Sequence, residues 1–169
     1  MLGSGVQHNY FGGQRRGPEA VVSIAPPFGL RPEGLPVRGR EELLAELDGP
    51  GLGVRVLYGL GGCGKTRIAL EAAARAAGRG REVWWVPAGD AEVLRAGMRA
   101  LGRRLGVADA QLEHGDAADL MWQRLAVLGT GWLLVVDNAD DPRVLAGAGT
   151  HVEEGRGWLR PPGTGGWWW

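Results

Sequence analysis

Apolar residues in this chain fall into two kinds of run. In some they recur at intervals of three and four, the spacing that gathers side chains on one face of a helix. In others they are continuous, as in strands buried on both faces. Leu43, Leu44 and Leu47 in "PVRGREELLAELDGPG" predict a helix that opens with Glu41 and Glu42 and ends at Gly49 and Pro50. "KTRIALEAAARAAGRG" predicts a second, with Ile68, Ala69, Ala72, Ala73 and Ala76 along one face and Gly78 at its end. "DAEVLRAGMRALGRRLG" places Val93, Leu94, Met98, Leu101 and Leu105 on the apolar face of a third. "DAADLMWQRLAVLG" predicts a fourth, capped by Asp116. Between them, "GVRVLYG", "EVWWVPA" and "GWLLVVDNADDP" read as strands, the second stopped by Pro87 and the third apolar until Asp137. Strands without alternation, separated by helices, predict a parallel sheet with helices on both faces. The expected fold class is α/β.

The two ends of the chain carry no such pattern. Residues 1–35 are rich in Gly, Pro and Arg and read as a flexible leader. Within it "GVQHNYFGG" is either a short docking motif or part of the tail. After Pro142 the text turns loop-like, and Trp167, Trp168 and Trp169 look like a strand just starting. The fold is therefore expected to be incomplete at the C-terminus, with its organised part in residues 36–169. Trp84, Trp85, Trp122 and Trp132 fall on expected strands or helices and read as core.

Composition changes this picture in only a few ways. At 169 residues the chain has the size of one domain. Nineteen basic and nineteen acidic residues balance, so nothing points to a nucleic-acid partner. No apolar stretch is long enough to span a membrane, and "MLGSGVQHNYFGG" has no secretory pattern, so the chain reads as cytoplasmic. A single cysteine, Cys63, excludes an internal disulfide, while His8, His114 and His151 are isolated and form no ligand set. Among nineteen cations, Lys65 is the one lysine, and it follows a run of glycines.

That lysine carries the chemistry. Gly59-Leu60-Gly61-Gly62-Cys63-Gly64-Lys65-Thr66 matches G-x-x-x-x-G-K-[ST], a loop whose backbone N–H groups cradle phosphate at a helix N-terminus. Lysine suits the place because a compact ammonium on a flexible stem fits where a planar guanidinium does not. Thr66 is expected to offer its hydroxyl to Mg²⁺, with Asp137, at the tip of the third strand, as the second group on the metal. Arg67 follows within the same helix and is counted with the nucleotide set. Cys63 is either a reactive thiolate at a helix N-terminus or simply a small residue that fits. Asp140 and Asp141 are candidates for orienting water, or caps of a helix with Pro142 in its first turn. Gly59, Gly61 and Gly64 also fit the dinucleotide pattern G-x-G-x-x-G, but no acidic residue closes the strand "VWWVPA" to hold a ribose.

"VRGREELL", "VLYGLGGCGKTRIALEAA", "VWWVPAGD" and "WLLVVDNADDP" together resemble the nucleotide-binding domain of the NB-ARC group. That group lies within the STAND class of signal-transducing P-loop NTPases, and the likeness is to bacterial members with tetratricopeptide repeats downstream. It covers residues 35 to 169. The resemblance implies a switch that binds ATP or ADP with Mg²⁺ and works by slow hydrolysis or exchange. It further implies self-association or coupling to effector and sensor domains. It implies that Val37, Arg38, Gly39 and Arg40 belong to a segment over the adenine, with Arg38 where an aliphatic residue is usual. Asn138 stands where the family has a second acid. The family's next strand lies between those of the glycine loop and Asp137, so its absence would leave a gap in the sheet. Lys65 and Asp140 are the candidate catalytic residues. The rival expectations are a metabolic ATPase or phosphotransferase, and an inactive fragment acting as an interaction module.

Overall fold

The computed structural model describes residues 22–31, 35–49, 53–113, 117–146, 151 and 157–160. Five helices are present among them: α1 (Glu41–Leu47), α2 (Lys65–Gly78), α3 (Ala91–Arg104), α4 (Asp109–Glu113) and α5 (Ala117–Val127). Two strands, β1 (Glu82–Pro87) and β2 (Trp132–Asp137), pair in parallel from Glu82 opposite Trp132 to Pro87 opposite Asp137. Short 3-10 turns occupy Phe28–Leu30 and Pro142–Leu145. The class is α/β, as the apolar runs predict.

Successive residues of a strand point to opposite faces, and the tryptophan pair of β1 shows why both faces must be covered. Trp85 packs against Leu70 and Ala73 of α2, together with Leu133 and Val135 of β2. Trp84 and Val86 point the other way, into Leu94, Met98 and Leu101 of α3 and Met121 and Leu125 of α5. The sheet thus separates α2 from α3 and α5. On the far side of α2, Leu44 of α1 closes over Ile68 and Ala72. The Asp48 carboxylate holds this corner, taking Arg75 at 3.3 Å and Arg79 at 2.9 Å.

The helix expectations hold with one rotation. In α3 the buried residues are Leu94, Gly97, Met98, Leu101 and Gly102, while Val93 stands 36 % exposed at the margin. The glycines explain the shift, because the bare backbone at Gly97 lies directly against Val86. Asp90 caps this helix, its carboxylate accepting from the N–H groups of Glu92 and Val93. The expected cap Asp116 and the expected stop Pro50 lie outside the described residues. The short α4 was not foreseen from the pattern.

Two expectations need correction. Residues 53–59, "GVRVLYG", form no strand. Only Leu57 of this segment packs, against the Leu44 cluster, while Val56 and Tyr58 are 71 % and 91 % exposed. A strand requires a ladder partner, and a cavity of about 480 Å³ separates this segment from β2. Among the described residues nothing pairs with this segment.

The second correction concerns the leader. Its described part, residues 22–31, is packed rather than free. The Ile24 carbonyl accepts from Trp85 N–H at 2.9 Å, and the Ile24 side chain joins the core beside α3. Arg31 reaches Glu71 of α2 at 2.9 Å. An apolar β-branched residue facing an unpaired strand edge is enough to hold the segment there. Residues 1–21, with "GVQHNYFGG", lie outside the described residues.

Two predictions follow from this packing. A Cβ built at Gly97 would sit 2.6 Å from Val86 Cγ1, whereas one at Gly78 meets nothing within 4 Å. Gly97→Ala is expected to cost about 1–3 kcal/mol by overpacking. Gly78→Ala should be neutral or gain up to about 1 kcal/mol in helix propensity. Urea unfolding of the two variants reads the contrast. Burial pushes the Glu71 carboxyl upward, but its bonds and charge contacts with Arg31 and Arg75 outweigh this and hold it below 4.5. A carboxyl depressed in the folded state adds stability above that value and loses it as pH falls through the folded pKa. The melting temperature should therefore drop more steeply below pH 4.5 in the native chain than in Glu71→Gln.

Candidate functional site

The glycine loop runs from Gly59 into α2, and its backbone could be made by few other residues. Gly59, Gly62 and Gly64 have φ of 147°, 76° and 94°, in the left-handed region that a Cβ disfavours. Cys63 N–H donates to the Leu60 carbonyl at 3.3 Å and closes the turn. Gly64 then occupies the N-cap position of α2, so the helix starts at Lys65 with its free N–H groups facing the loop.

Lys65 curls back over the loop. Its Nζ donates to the Gly59 carbonyl at 2.9 Å and to the Leu60 carbonyl at 3.1 Å. These carbonyls hold the ammonium in the position where an anion would compete for it. One residue on, Thr66 Oγ1 lies 3.4 Å from Asp137 Oδ1, at the end of β2. The β1–β2 register and the packing of α2 on the sheet bring together two groups that are 71 residues apart.

Around these groups lies an open bowl of about 510 Å³, lined by Gly59, Gly61, Gly62, Gly64, Lys65, Thr66, Arg67, Asn138 and Asp140. Most of the expected nucleotide set is therefore in one place. Leu60 and Cys63 belong to the loop but not to the lining, and both are exposed. Arg67 lines the bowl, although one of its guanidinium nitrogens donates to the Leu35 carbonyl and ties down the upstream segment. Val37 packs against the Leu44–Ile68–Ala72 cluster, and Arg38 is exposed. Neither lines the bowl.

The alternatives for the two aspartates separate. Asp141 caps the 3-10 turn at Pro142–Leu145, its carboxylate accepting from Arg143 N–H at 3.0 Å. The hydrogen bond from the Arg143 side chain is the main reason that its carboxyl titrates below the usual value. Asp140 makes no such cap and faces the bowl. Asn138 is the residue whose backbone the sequence did not reveal. It has φ of 61° and donates its N–H to Asp137 Oδ1 at 3.1 Å, which steers the chain around the strand-end carboxylate. The Asp-Asn pair at a strand end is the signal for it, since asparagine tolerates this conformation better than other residues with a Cβ.

Among the described residues no three His, Cys, Asp or Glu side chains gather as a metal cluster. No helix among them is long and apolar enough to cross a membrane. No family model matches the chain, and no solved structure matches it. Among curated proteins, a nucleotide-binding leucine-rich repeat (NLR)-like protein of Hyaloscypha variabilis is 33 % identical over 136 residues. The alignment covers 73 % of this chain and 13 % of that relative.

The backbone at Asn138 gives a direct test. Asn138→Ala places an ordinary Cβ at positive φ and is expected to cost about 1 kcal/mol, while Asn138→Gly should stay within about 0.5 kcal/mol of the native chain. An equal loss in both, by denaturant titration, would show that the amide side chain rather than the backbone holds the turn.

Proposed function

We propose that this chain is the nucleotide-binding part of a signalling switch, taking ATP or ADP with Mg²⁺ in the bowl before α2. The observation that carries the reading is the position of Lys65. Its ammonium rests on the Gly59 and Leu60 carbonyls at the mouth of the bowl, beside a threonine hydroxyl 3.4 Å from a strand-end carboxylate. An anionic group entering the bowl exchanges two neutral acceptors for charged ones, which strengthens the lysine's bonds. The loop N–H groups and the positive end of α2 favour the same charge. The printed name of the Hyaloscypha relative, which includes nucleotide binding, supports this reading.

The residues also fit a metal held together with its ligand. Thr66 Oγ1 and Asp137 Oδ1 lie 3.4 Å apart, and among the described residues no cluster of three His, Cys, Asp or Glu forms there, which leaves the rest of a cation's oxygen shell to phosphate and water. Mg²⁺ there supplies neutralisation of phosphate charge. Asp140 is the candidate for orienting water at the bowl, and with a single exposed carboxylate any hydrolysis is slow. In this reading the chain resides in the cytoplasm. Nucleotide exchange changes its packing against neighbouring domains or further copies.

Calorimetric titration of the full chain with ADP, ATP and NAD in Mg²⁺ buffer tests the proposal. Adenine nucleotide should bind, and Lys65→Ala should weaken it by roughly 10- to 100-fold, the loss of about 1.5–3 kcal/mol for a charged hydrogen bond. Lys65→Arg should fail to restore it, and Asp137→Asn should remove the Mg²⁺ dependence. Unchanged binding in Lys65→Ala, or NAD bound as well as ADP, would sink the reading.

A further inference from the structure

We infer that Arg67 is a positioning residue that couples the bowl to the upstream segment 35–40, so that a phosphate-type anion held in the bowl fastens that segment to α2. The inference rests on the polyphosphate ligand proposed above and adds a link to residues that do not line its site.

Arg67 stands in the first turn of α2, half-buried, and lines the bowl. Its Nη2 donates to the Leu35 carbonyl. Its Nη1 is shut off from water and has no hydrogen-bond partner. A guanidinium can serve two acceptors with one fork, and here half of the fork is unused. Leaving a buried charged donor without an acceptor is costly, so an acceptor that reaches it is favoured. Among the described residues that line the bowl the only cations are Lys65 and Arg67. Lys65 already rests on two carbonyls, which leaves Arg67 as the cation with an open arm.

The occupied arm holds a lightly anchored piece of chain. The Leu35 side chain is 65 % exposed, so its carbonyl rather than its burial fixes it there. Among the described residues no other hydrogen bond reaches residues 35–38. Val37 packs against the Leu44 cluster, while Arg38, Gly39 and Arg40 are exposed. Arg67 also begins a stripe along α2. Glu71, four residues on, takes Arg31 at 2.9 Å, and Arg75, four further, reaches both Glu71 and Asp48. The stripe thus holds the upstream chain at residue 31 and at residue 35, and its first member is the one on the bowl.

The sign of the coupling follows from the fork. Holding Leu35 costs Arg67 its side-chain freedom. A phosphate oxygen bonded through Nη1 fixes the guanidinium, and the Leu35 bond then forms on a side chain already immobilised. Each bond favours the other, and by linkage the docked segment favours the anion equally.

Limited trypsin digestion of the full chain, read by mass spectrometry, tests this at the exposed Arg38–Gly39 and Arg40–Glu41 bonds. Cleavage after Arg104, at the end of α3, reports general opening of the fold. ADP with Mg²⁺ and tripolyphosphate, which carries no base, are each used at saturation as fixed by calorimetry. With either one bound, cleavage after Arg38 and Arg40 should slow about fivefold or more relative to Arg104. In Arg67→Met neither should change the ratio. Should that variant fail to fold or to bind, Arg67→Lys, a cation without the fork, takes its place and should likewise show no slowing. Three outcomes overturn the inference: unchanged or faster cleavage in the native chain with ligand bound, slowing by ADP alone, or equal slowing in the variant. If calorimetry shows neither ligand binding the native chain, the nucleotide reading itself fails and takes this inference with it.

Discussion

The parallel pairing of β1 with β2 is the constraint on which the rest of this chain depends. Its six-residue register carries Pro87 opposite Asp137, and so fixes where the strand-end carboxylate stands. Because Trp84 and Trp85 point to opposite faces of that pair, helices must cover both, and α2 is the helix that Trp85 recruits. Once α2 lies on that face, its first turn meets the end of β2, and Thr66 faces Asp137. The site is a by-product of sheet register and one tryptophan's orientation. No part of it is assembled by a metal cluster or a disulfide among the described residues.

Much of this was legible in the sequence, for reasons that differ between elements. β1 and β2 were readable as unbroken apolar runs, and α2 and α3 by apolar residues spaced three and four apart, with Gly78 marking the end of α2. The loop at Gly59–Thr66 was readable because its conformation demands glycine at several positions. The segment 53–59 was misread because strand propensity is local whereas a ladder requires a partner elsewhere, and among the described residues it has none. The packed leader was missed because isolated residues dock it, Ile24 on β1 and Arg31 on Glu71, and isolated contacts have no period. Val93 was misplaced because the pattern counted apolar side chains, while the contact face of α3 is centred on Gly97 and Gly102. Val37 and Arg38, assigned to the nucleotide through family likeness, lie away from the bowl.

Arginine does the structural work around this site that lysine does not. Asp48 receives Arg75 and Arg79, and Glu71 receives Arg31 and Arg75, so a chain of paired charges joins the leader, α1 and α2. Arg75 reaches both Asp48 and Glu71, and Arg79 meets both oxygens of Asp48, as a forked donor can. On exposed surfaces such pairs add little individually, but these span segments far apart in sequence. The one residue with a point charge and free rotation is left for the loop.

Lys65, Thr66, Asn138 and Asp140 line both the bowl at the glycine loop and the cavity beside β2. The two spaces are rooms with a common wall. Whatever occupies one therefore sets the posture of the wall that the other must accept, and by linkage the influence runs equally in both directions. Filling either space restricts the rotamers that Lys65, Thr66, Asn138 and Asp140 can offer to the other, so the two cannot be reshaped independently.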